Sequence, residues 1–124
     1  DGIRLATWPR DRLGFLSPYV GPNDDSFVIS QPLSLDGKPA RVYLNIDGIG
    51  ELAHVTVEVL NERFEPLSGY TAQEHATPLD PGFRQHVLWS DAESVSADDP
   101  IRIRVNFAGV RPEDIRLYAI YLEQ

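Results

Sequence analysis

The chain has 124 residues, a formal net charge of −8 at pH 7, 42% hydrophobic residues and no cysteine. This length fits one ordinary domain, residues 1–124, and the lack of cysteine excludes disulfides, thiolate zinc sites and cysteine nucleophiles. The excess of acidic residues argues against nucleic acid and anionic membranes as partners, and no apolar run approaches the ~20 residues that cross a bilayer.

Short segments of alternating apolar and polar residues recur along the chain, separated by clusters of Gly, Pro, Asn and Asp. Alternation with a period of two is typical of a strand that has one buried and one solvated face. The segments predicted as strands are residues 3–8, 13–17, 26–35, 41–46, 52–60, 85–89, 101–107 and 115–122. Residues 91–99 are too short for a stable isolated helix and are predicted to form a loop.

The predicted strands lie about 8 to 12 residues apart, and no helical crossovers lie between them. The sequence therefore predicts an all-β fold with little or no helix, an antiparallel β-sandwich of jelly-roll type with about eight strands. Pro32 cannot donate to a strand ladder, so an edge, a bulge or a bend is expected near it. Leu67, Tyr70, Leu79 and Trp89 are expected to pack in the core.

The order of short motifs along the chain resembles that of the β-sandwich modules at the C-terminal end of multidomain secreted bacterial proteins, such as those behind the β-propellers of glycoside hydrolase family 32. The motifs are RDRLGFLS at residues 10–17, ISQPL at 29–33, VYLNI at 42–46, VEVL at 57–60, EPLSGY at 65–70, HVLW at 86–89, IRIRV at 101–105 and LYA at 117–119. This resemblance implies a non-catalytic accessory domain whose partner is the rest of its own polypeptide, with Trp89 and Tyr118 as packing aromatics.

Polar side chains alternate along the predicted strands at 41–46 and 101–107. Flat aromatic rings and planar amide or guanidinium groups are the side chains that hold sugars. The predicted ligand surface comprises Tyr43, Asn45, Arg102, Arg104 and Asn106, joined by Arg116 or Tyr118. The same residues also suit an interface with a neighbouring domain or a solvated sheet. Trp8 is a further candidate, either as an exposed platform or as a contact with a preceding domain.

Loop carboxylates provide the candidate metal ligands, because Ca²⁺ takes oxygen ligands from irregular loops. The residues that could hold a structural calcium ion are Asp24, Asp25, Asp47, Asp98 and Asp99. The three histidines, His54, His75 and His86, match no recognised ligand spacing. No other cofactor is indicated.

Catalytic signatures are weak in this sequence. No Gly-x-Ser-x-Gly motif is present for a serine nucleophile, and the acidic pairs lie in polar loops where solvated charge is the ordinary interpretation. We therefore expect a non-enzymatic domain that packs against a neighbouring domain of the same polypeptide, with carbohydrate binding as the alternative. The start at Asp1 and the absence of methionine indicate a fragment of a larger protein, and the resemblance implies an extracellular or periplasmic location.

Overall fold

The computed structural model describes residues 3–5, 26–51, 53–74, 82–109 and 114–124. These residues form strands β1 (Ile3–Leu5), β2 (Ser26–Ile29), β3 (Arg41–Asp47), β4 (Ala53–Asn61), β5 (Gly82–His86), β6 (Ile101–Gly109) and β7 (Arg116–Glu123). A short 3-10 helix (Ala72–Glu74) lies between β4 and β5. The predicted all-β class is confirmed.

The strands form two antiparallel sheets. The four-stranded sheet has the order β1-β7-β3-β5 and the three-stranded sheet has the order β2-β6-β4. The pairing is nested along the chain, since β1 pairs with β7, β2 with β6, and β3 with β5. Two further pairings, of β3 with β7 and of β4 with β6, join these pairs into the two sheets.

One hydrophobic core lies between the two sheets. The alternating residues Val42, Leu44 and Ile46 of the four-stranded sheet are buried in the same cluster as Val57 and Val105 of the three-stranded sheet. A strand places successive side chains on opposite faces, so the residues between these buried positions face away from the core. The polar faces of the two sheets therefore lie on opposite sides of the molecule.

Trp89 fills the core and joins β4 to the loop that follows β5. Its side chain is 2% exposed, and its indole Nε1 donates a hydrogen bond of 2.9 Å to the carbonyl oxygen of Val57. Tyr70 packs against the indole edge-on, with ring centroids 5.3 Å apart. Leu67 also packs against the core, which confirms the sequence-based placement of Leu67, Tyr70 and Trp89, whereas Leu79 lies outside the described residues.

The prediction of about eight strands is wrong for the described residues, which contain six strands of at least four residues, three in each sheet, and the three-residue β1. The predicted strand at 13–17 lies outside the described residues. The predicted strand at 26–35 ends at Ile29, and Leu33 rejoins the sheet through two backbone hydrogen bonds with Ile101, of 2.7 and 2.9 Å. The ladder is interrupted at Ser30, whose hydroxyl accepts the Ile103 N–H at 2.9 Å in place of a backbone carbonyl, and Pro32 has no N–H to donate.

The strand predicted at 85–89 is displaced toward the N-terminus, because β5 spans Gly82–His86. Val87 and Trp89 are buried as their apolar character predicts, but Trp89 forms an isolated bridge with Ala92. Residues 91–99 form a loop, as predicted, in which Ala92 and Val95 make isolated bridges. Among the described residues, no helix is long and apolar enough to cross a membrane.

Candidate functional site

The predicted ligand surface is divided between the two sheets. Tyr43 and Asn45 lie on β3 in the four-stranded sheet, whereas Arg102, Arg104 and Asn106 lie on β6 in the three-stranded sheet. Since the two polar faces point away from each other, the structure does not bring these five side chains into one surface. Two separate candidate surfaces result, one on each outer face.

The first surface, here named the Arg–Phe face, lies on the outside of the three-stranded sheet. The two exposed large hydrophobic side chains among the described residues, Phe27 and Phe64, are 46% and 54% exposed. Each ring is stacked against an arginine of β6: the Cζ of Arg104 lies 3.9 Å from the centroid of Phe27, and the Cζ of Arg102 lies 4.2 Å from that of Phe64. Such cation–π contacts contribute ~0.5–1 kcal/mol each at exposed sites.

A hydrogen-bonded row of polar side chains crosses the Arg–Phe face from β6 to β4. The Nε of Arg104 donates to Oδ1 of Asn106 at 2.7 Å, and Nδ2 of Asn106 donates to Glu58 at 3.0 Å and to Thr56 at 3.2 Å. Arg104 also forms an ion pair with Glu58 at 3.6 Å. These mutual contacts fix the side chains in place and pair the charge of Arg104 within the domain.

A tight turn presents Phe64 to this face. The side-chain oxygen of Asn61 accepts hydrogen bonds from the backbone N–H groups of Arg63 and Glu65, at 2.8 and 3.0 Å. Phe64 follows with a φ of +66°, in the left-handed region where glycine or asparagine is ordinarily found. A large aromatic residue therefore occupies a backbone position that disfavours it and is directed onto Arg102.

The second surface, here named the tyrosine face, lies on the outside of the four-stranded sheet. In register across three strands lie His86 on β5, Tyr43 on β3 and Tyr121 on β7. Tyr43 stacks on His86 with ring centroids 4.9 Å apart. The guanidinium of Arg84 lies 4.5 Å from the Tyr43 ring and forms an ion pair with Glu123, so Tyr43 already has ring partners on this face.

Tyr118 lies at an irregularity in the pairing of β7 with β3. Asn45 pairs with Ala119 and Ile46 pairs with Leu117, which leaves Tyr118 as the extra residue of a β-bulge. Leu117 is buried, whereas Arg116 is exposed and Tyr118 is half-buried. Arg116 and Tyr118 thus lie with the four-stranded sheet, on the same sheet as Tyr43 and Asn45 and away from Arg104.

Among the described residues, the structure does not bring the candidate calcium ligand Asp47 together with Asp98 and Asp99. Asp47 lines a depression of about 310 Å³ with Gly48, Asp114 and Arg116, and its Oδ1 accepts a hydrogen bond of 2.8 Å from the Gly48 N–H. Asp98 and Asp99 are exposed in the loop before β6, whereas Asp114 follows β6. The nine-residue strand β6 separates Asp98 and Asp99 from Asp114 by roughly 30 Å. Asp24, Asp25 and Trp8 lie outside the described residues.

The histidines do not form a metal site within the part of the chain that the structure describes. That part contains no group of three or more His, Cys, Asp and Glu side chains able to hold a metal ion. His54 is exposed on β4, while Nε2 of His86 donates to the carbonyl oxygen of Glu93 at 2.8 Å. His75 lies outside the described residues.

Several residues of the two surfaces were missed by sequence reasoning: Phe27, Phe64, Arg84, Tyr121 and Glu123. Phe27 begins a run of three apolar residues, Phe27 to Ile29, and such a run gives no indication of which residue faces outward. The turn signal at residues 61–63 was recognisable, but the left-handed conformation of Phe64 was not. Tyr121 follows the bulge at Tyr118. The extra residue there shifts the alternation, so the pattern before the bulge does not predict which way Tyr121 faces.

No family model, no curated protein and no solved structure matches this chain. Its function is therefore argued from the two surfaces.

Proposed function

We propose that the chain is a non-catalytic accessory domain that packs against and stabilises a neighbouring domain of its own polypeptide through the Arg–Phe face. The observation that carries this proposal is the exposure of Phe27 and Phe64 on one sheet face, each against an arginine. Aromatic residues and arginine are enriched in the centres of protein interfaces, where they contribute much of the binding energy.

The contacts among the side chains of the Arg–Phe face favour docking of a partner domain over catalysis. Glu58 is only 15% exposed in its side chain and pairs with Arg104, and Asn106 bonds to both. Side chains that are already fixed lose little entropy when a partner covers them, which favours association. A catalytic acid or base must instead be free to exchange a proton with its substrate.

This proposal is tested by comparing the isolated chain with the complete polypeptide that its gene encodes. Hydroxyl-radical footprinting measures the oxidation of Phe27 and Phe64 in each. We expect several-fold lower oxidation of both rings in the complete polypeptide, with Tyr121 on the opposite face as the internal reference. Equal oxidation in the two proteins, or a gene that encodes only this domain, would overturn the proposal.

A variant comparison extends this test to stability. Phe27→Thr keeps a strand-favouring residue but removes the ring, and Tyr121→Thr is the matched control on the tyrosine face. We expect Phe27→Thr to lower the melting temperature of the complete polypeptide by more than it lowers that of the isolated chain. Tyr121→Thr is expected to lower both equally. A Phe27→Thr effect that is equal in the two proteins would count against docking.

Carbohydrate binding is a second candidate, and the tyrosine face favours it. Tyr43 and Tyr121 are directly opposite on paired strands, next to the planar groups of Asn45 and Arg84. Affinity electrophoresis on soluble polysaccharides tests this candidate, with Tyr121→Ala as the variant and Arg104→Ala as a control on the other face. Retention that Tyr121→Ala abolishes and Arg104→Ala preserves supports it, and migration unaffected by every polysaccharide removes it.

We further propose that the fold is a jelly roll. A jelly roll is a long antiparallel hairpin wrapped into two sheets, so its first strand pairs with its last, its second with the one before, and so on inward. The nested pairs β1 with β7, β2 with β6 and β3 with β5 agree with this order. The innermost partner of β4 would be residues 66–70, whose Leu67 and Tyr70 exchange backbone hydrogen bonds with Val59.

The resemblance of the chain's motifs to secreted modules supports an extracellular or periplasmic location for this domain. An accessory role next to a glycosidase-like domain is consistent with either candidate surface. Structural calcium stays a prediction that a calorimetric titration of the chain with Ca²⁺ would test. Heat uptake or release that saturates with Ca²⁺ would support it.

A further inference from the structure

The two arginines of the Arg–Phe face differ in their charge partners. Arg104 is paired with the carboxylate of Glu58 at 3.6 Å. Arg102 has no carboxylate within ion-pair distance among the described residues, and its hydrogen bonds there go to backbone carbonyl oxygens. Its Nε donates to the carbonyl of Glu62 and its Nη1 to that of Ser30, each at 3.3 Å. Within the described part of the chain, Arg102 is thus held in place with no carboxylate to neutralise its charge.

The guanidinium of Arg102 is held on two sides. The carbonyls of Glu62 and Ser30 accept from Nε and Nη1, on two different edges of the group, and the Phe64 ring lies 4.2 Å from its Cζ. A guanidinium has five N–H donors, and two of them are used by these carbonyls. The other three have no acceptor among the described residues. A planar group with a fixed position and free donors is suited to bind a carboxylate with little loss of side-chain entropy.

We propose that the Arg102–Phe64 pair anchors the docked domain by binding an aspartate or glutamate carboxylate that lies beside an apolar side chain. This inference rests on the proposed docking function of the Arg–Phe face and names the chemistry of the partner. The carboxylate pairs with the free donors of Arg102, and the neighbouring apolar side chain packs on the exposed ring of Phe64. A polypeptide segment supplies both groups within one or two residues.

The surroundings of Arg102 add a further requirement on the partner. The chain carries a net charge of −8, and Glu62, Arg63 and Asp99 line the depression next to the 61–65 turn. An extended acidic surface would be repelled by this charge, whereas a single carboxylate in a neutral or basic surface would not. The expected partner is therefore a neutral or basic surface that carries one acidic side chain opposite Arg102.

The direct test is an NMR titration of the isotopically labelled chain with the peptide acetyl-Leu-Glu-Leu-amide. The readouts are the Nε–H signal of Arg102 and the backbone amide signals of residues 61–64 at low salt. We expect saturable shifts at these positions, with an affinity about fivefold higher than for acetyl-Leu-Gln-Leu-amide, as the energy of an exposed ion pair allows. The difference between the two peptides should shrink at high salt.

Variants at Arg102 and at an arginine outside the Arg–Phe face complete the experiment. Arg102→Gln should abolish the preference for the glutamate peptide, whereas Arg41→Gln should retain it, because Arg41 is exposed on β3 in the four-stranded sheet. Equal affinities for the two peptides, no localised shifts up to the solubility limit, or a preference that survives Arg102→Gln would each overturn the inference. The two-peptide comparison on the unmodified chain decides the matter if a variant fails to fold.

The outcomes separate this inference from the docking function itself. If footprinting shows Phe27 and Phe64 covered in the complete polypeptide while the glutamate peptide has no advantage, docking stands and carboxylate recognition falls. If the rings stay exposed in the complete polypeptide, the docking function falls whatever the peptide result.

Discussion

Gly48 lies just after β3 with a φ of +78°, and its α-carbon faces the backbone of Asp114 across the turn. A Cβ at this position would overlap the Asp114 carbonyl group. Gly37 also has a positive φ, of +75°, but no atom lies within 4 Å of the place where its Cβ would be. The two glycines therefore separate the cost of backbone conformation from the cost of steric overlap.

We expect Gly48→Ala to destabilise the domain more than Gly37→Ala does. Left-handed backbone alone costs an alanine roughly 1–2 kcal/mol, and the overlap with Asp114 adds to this at Gly48, for a total of about 2–4 kcal/mol. Urea unfolding followed by circular dichroism measures both free energies. Equal losses for the two variants would show that the Asp114 backbone moves aside at no cost.

Trp89 is the second residue on which stability depends. It is buried, its indole N–H bonds to the Val57 carbonyl, and its ring edge meets Tyr70. We expect Trp89→Phe to lower the free energy of unfolding by roughly 2–4 kcal/mol, because it removes core volume and a buried hydrogen bond together. Tyr70→Phe, which loses only a long 3.4 Å contact from the Ser96 N–H, is the control and should cost under about 1 kcal/mol. Denaturant midpoints that fall equally would contradict this ranking.

At the scale of elements, the 61–65 turn that follows β4 departs from local preference. The backbone of Phe64 in this turn has a left-handed conformation, which favours glycine over an aromatic residue. We expect Phe64→Gly to leave the free energy of unfolding unchanged or to raise it by up to about 1 kcal/mol, since relief of backbone strain offsets the lost stacking on Arg102.

Chemical denaturation of Phe64→Gly next to Phe27→Thr checks this expectation. Phe27 lies in β2, where its aromatic side chain suits the strand, so its replacement should destabilise the isolated chain. A loss of more than about 1 kcal/mol in Phe64→Gly would mean that Phe64 serves folding rather than recognition.

The strands of this domain were predictable where one face is buried and the other is not. β3, β4, β6 and β7 begin and end within two residues of the predicted limits, because the alternation of apolar and polar residues, strict in β3 and along most of β6, reflects the two environments of each strand. The strand predicted at 85–89 lies later in the chain than β5. Val87 and Trp89 misled the prediction because they are buried and continue the apolar alternation past the end of β5, where Trp89 only bridges to Ala92.

At the scale of the whole molecule, alternation predicts which residues face outward but not which strands share a sheet. Asn45 and Arg104 are both polar strand residues, yet β3 pairs with β5 and β7, whereas β6 pairs with β2 and β4. Pairing partners lie far apart in the sequence, and nothing in the local pattern of β3 or β6 encodes them. The five residues predicted to form one surface therefore lie on two different sheets.

A double-mutant cycle measures whether the two outer faces contribute independently to the free energy of unfolding. Tyr43 and Arg104 lie on opposite outer faces with the core between them, so we expect the effects of Tyr43→Ala and Arg104→Ala on unfolding free energy to add within about 0.5 kcal/mol. Arg104 and Asn106 share a 2.7 Å hydrogen bond, and their cycle should show a coupling of about 1 kcal/mol. If the coupling between Tyr43 and Arg104 were as large as that of the bonded pair, a change on one outer face would alter the energetics of the other through the core. The same independence requires that a ligand bound at the tyrosine face leave the affinity of the Arg–Phe face unchanged.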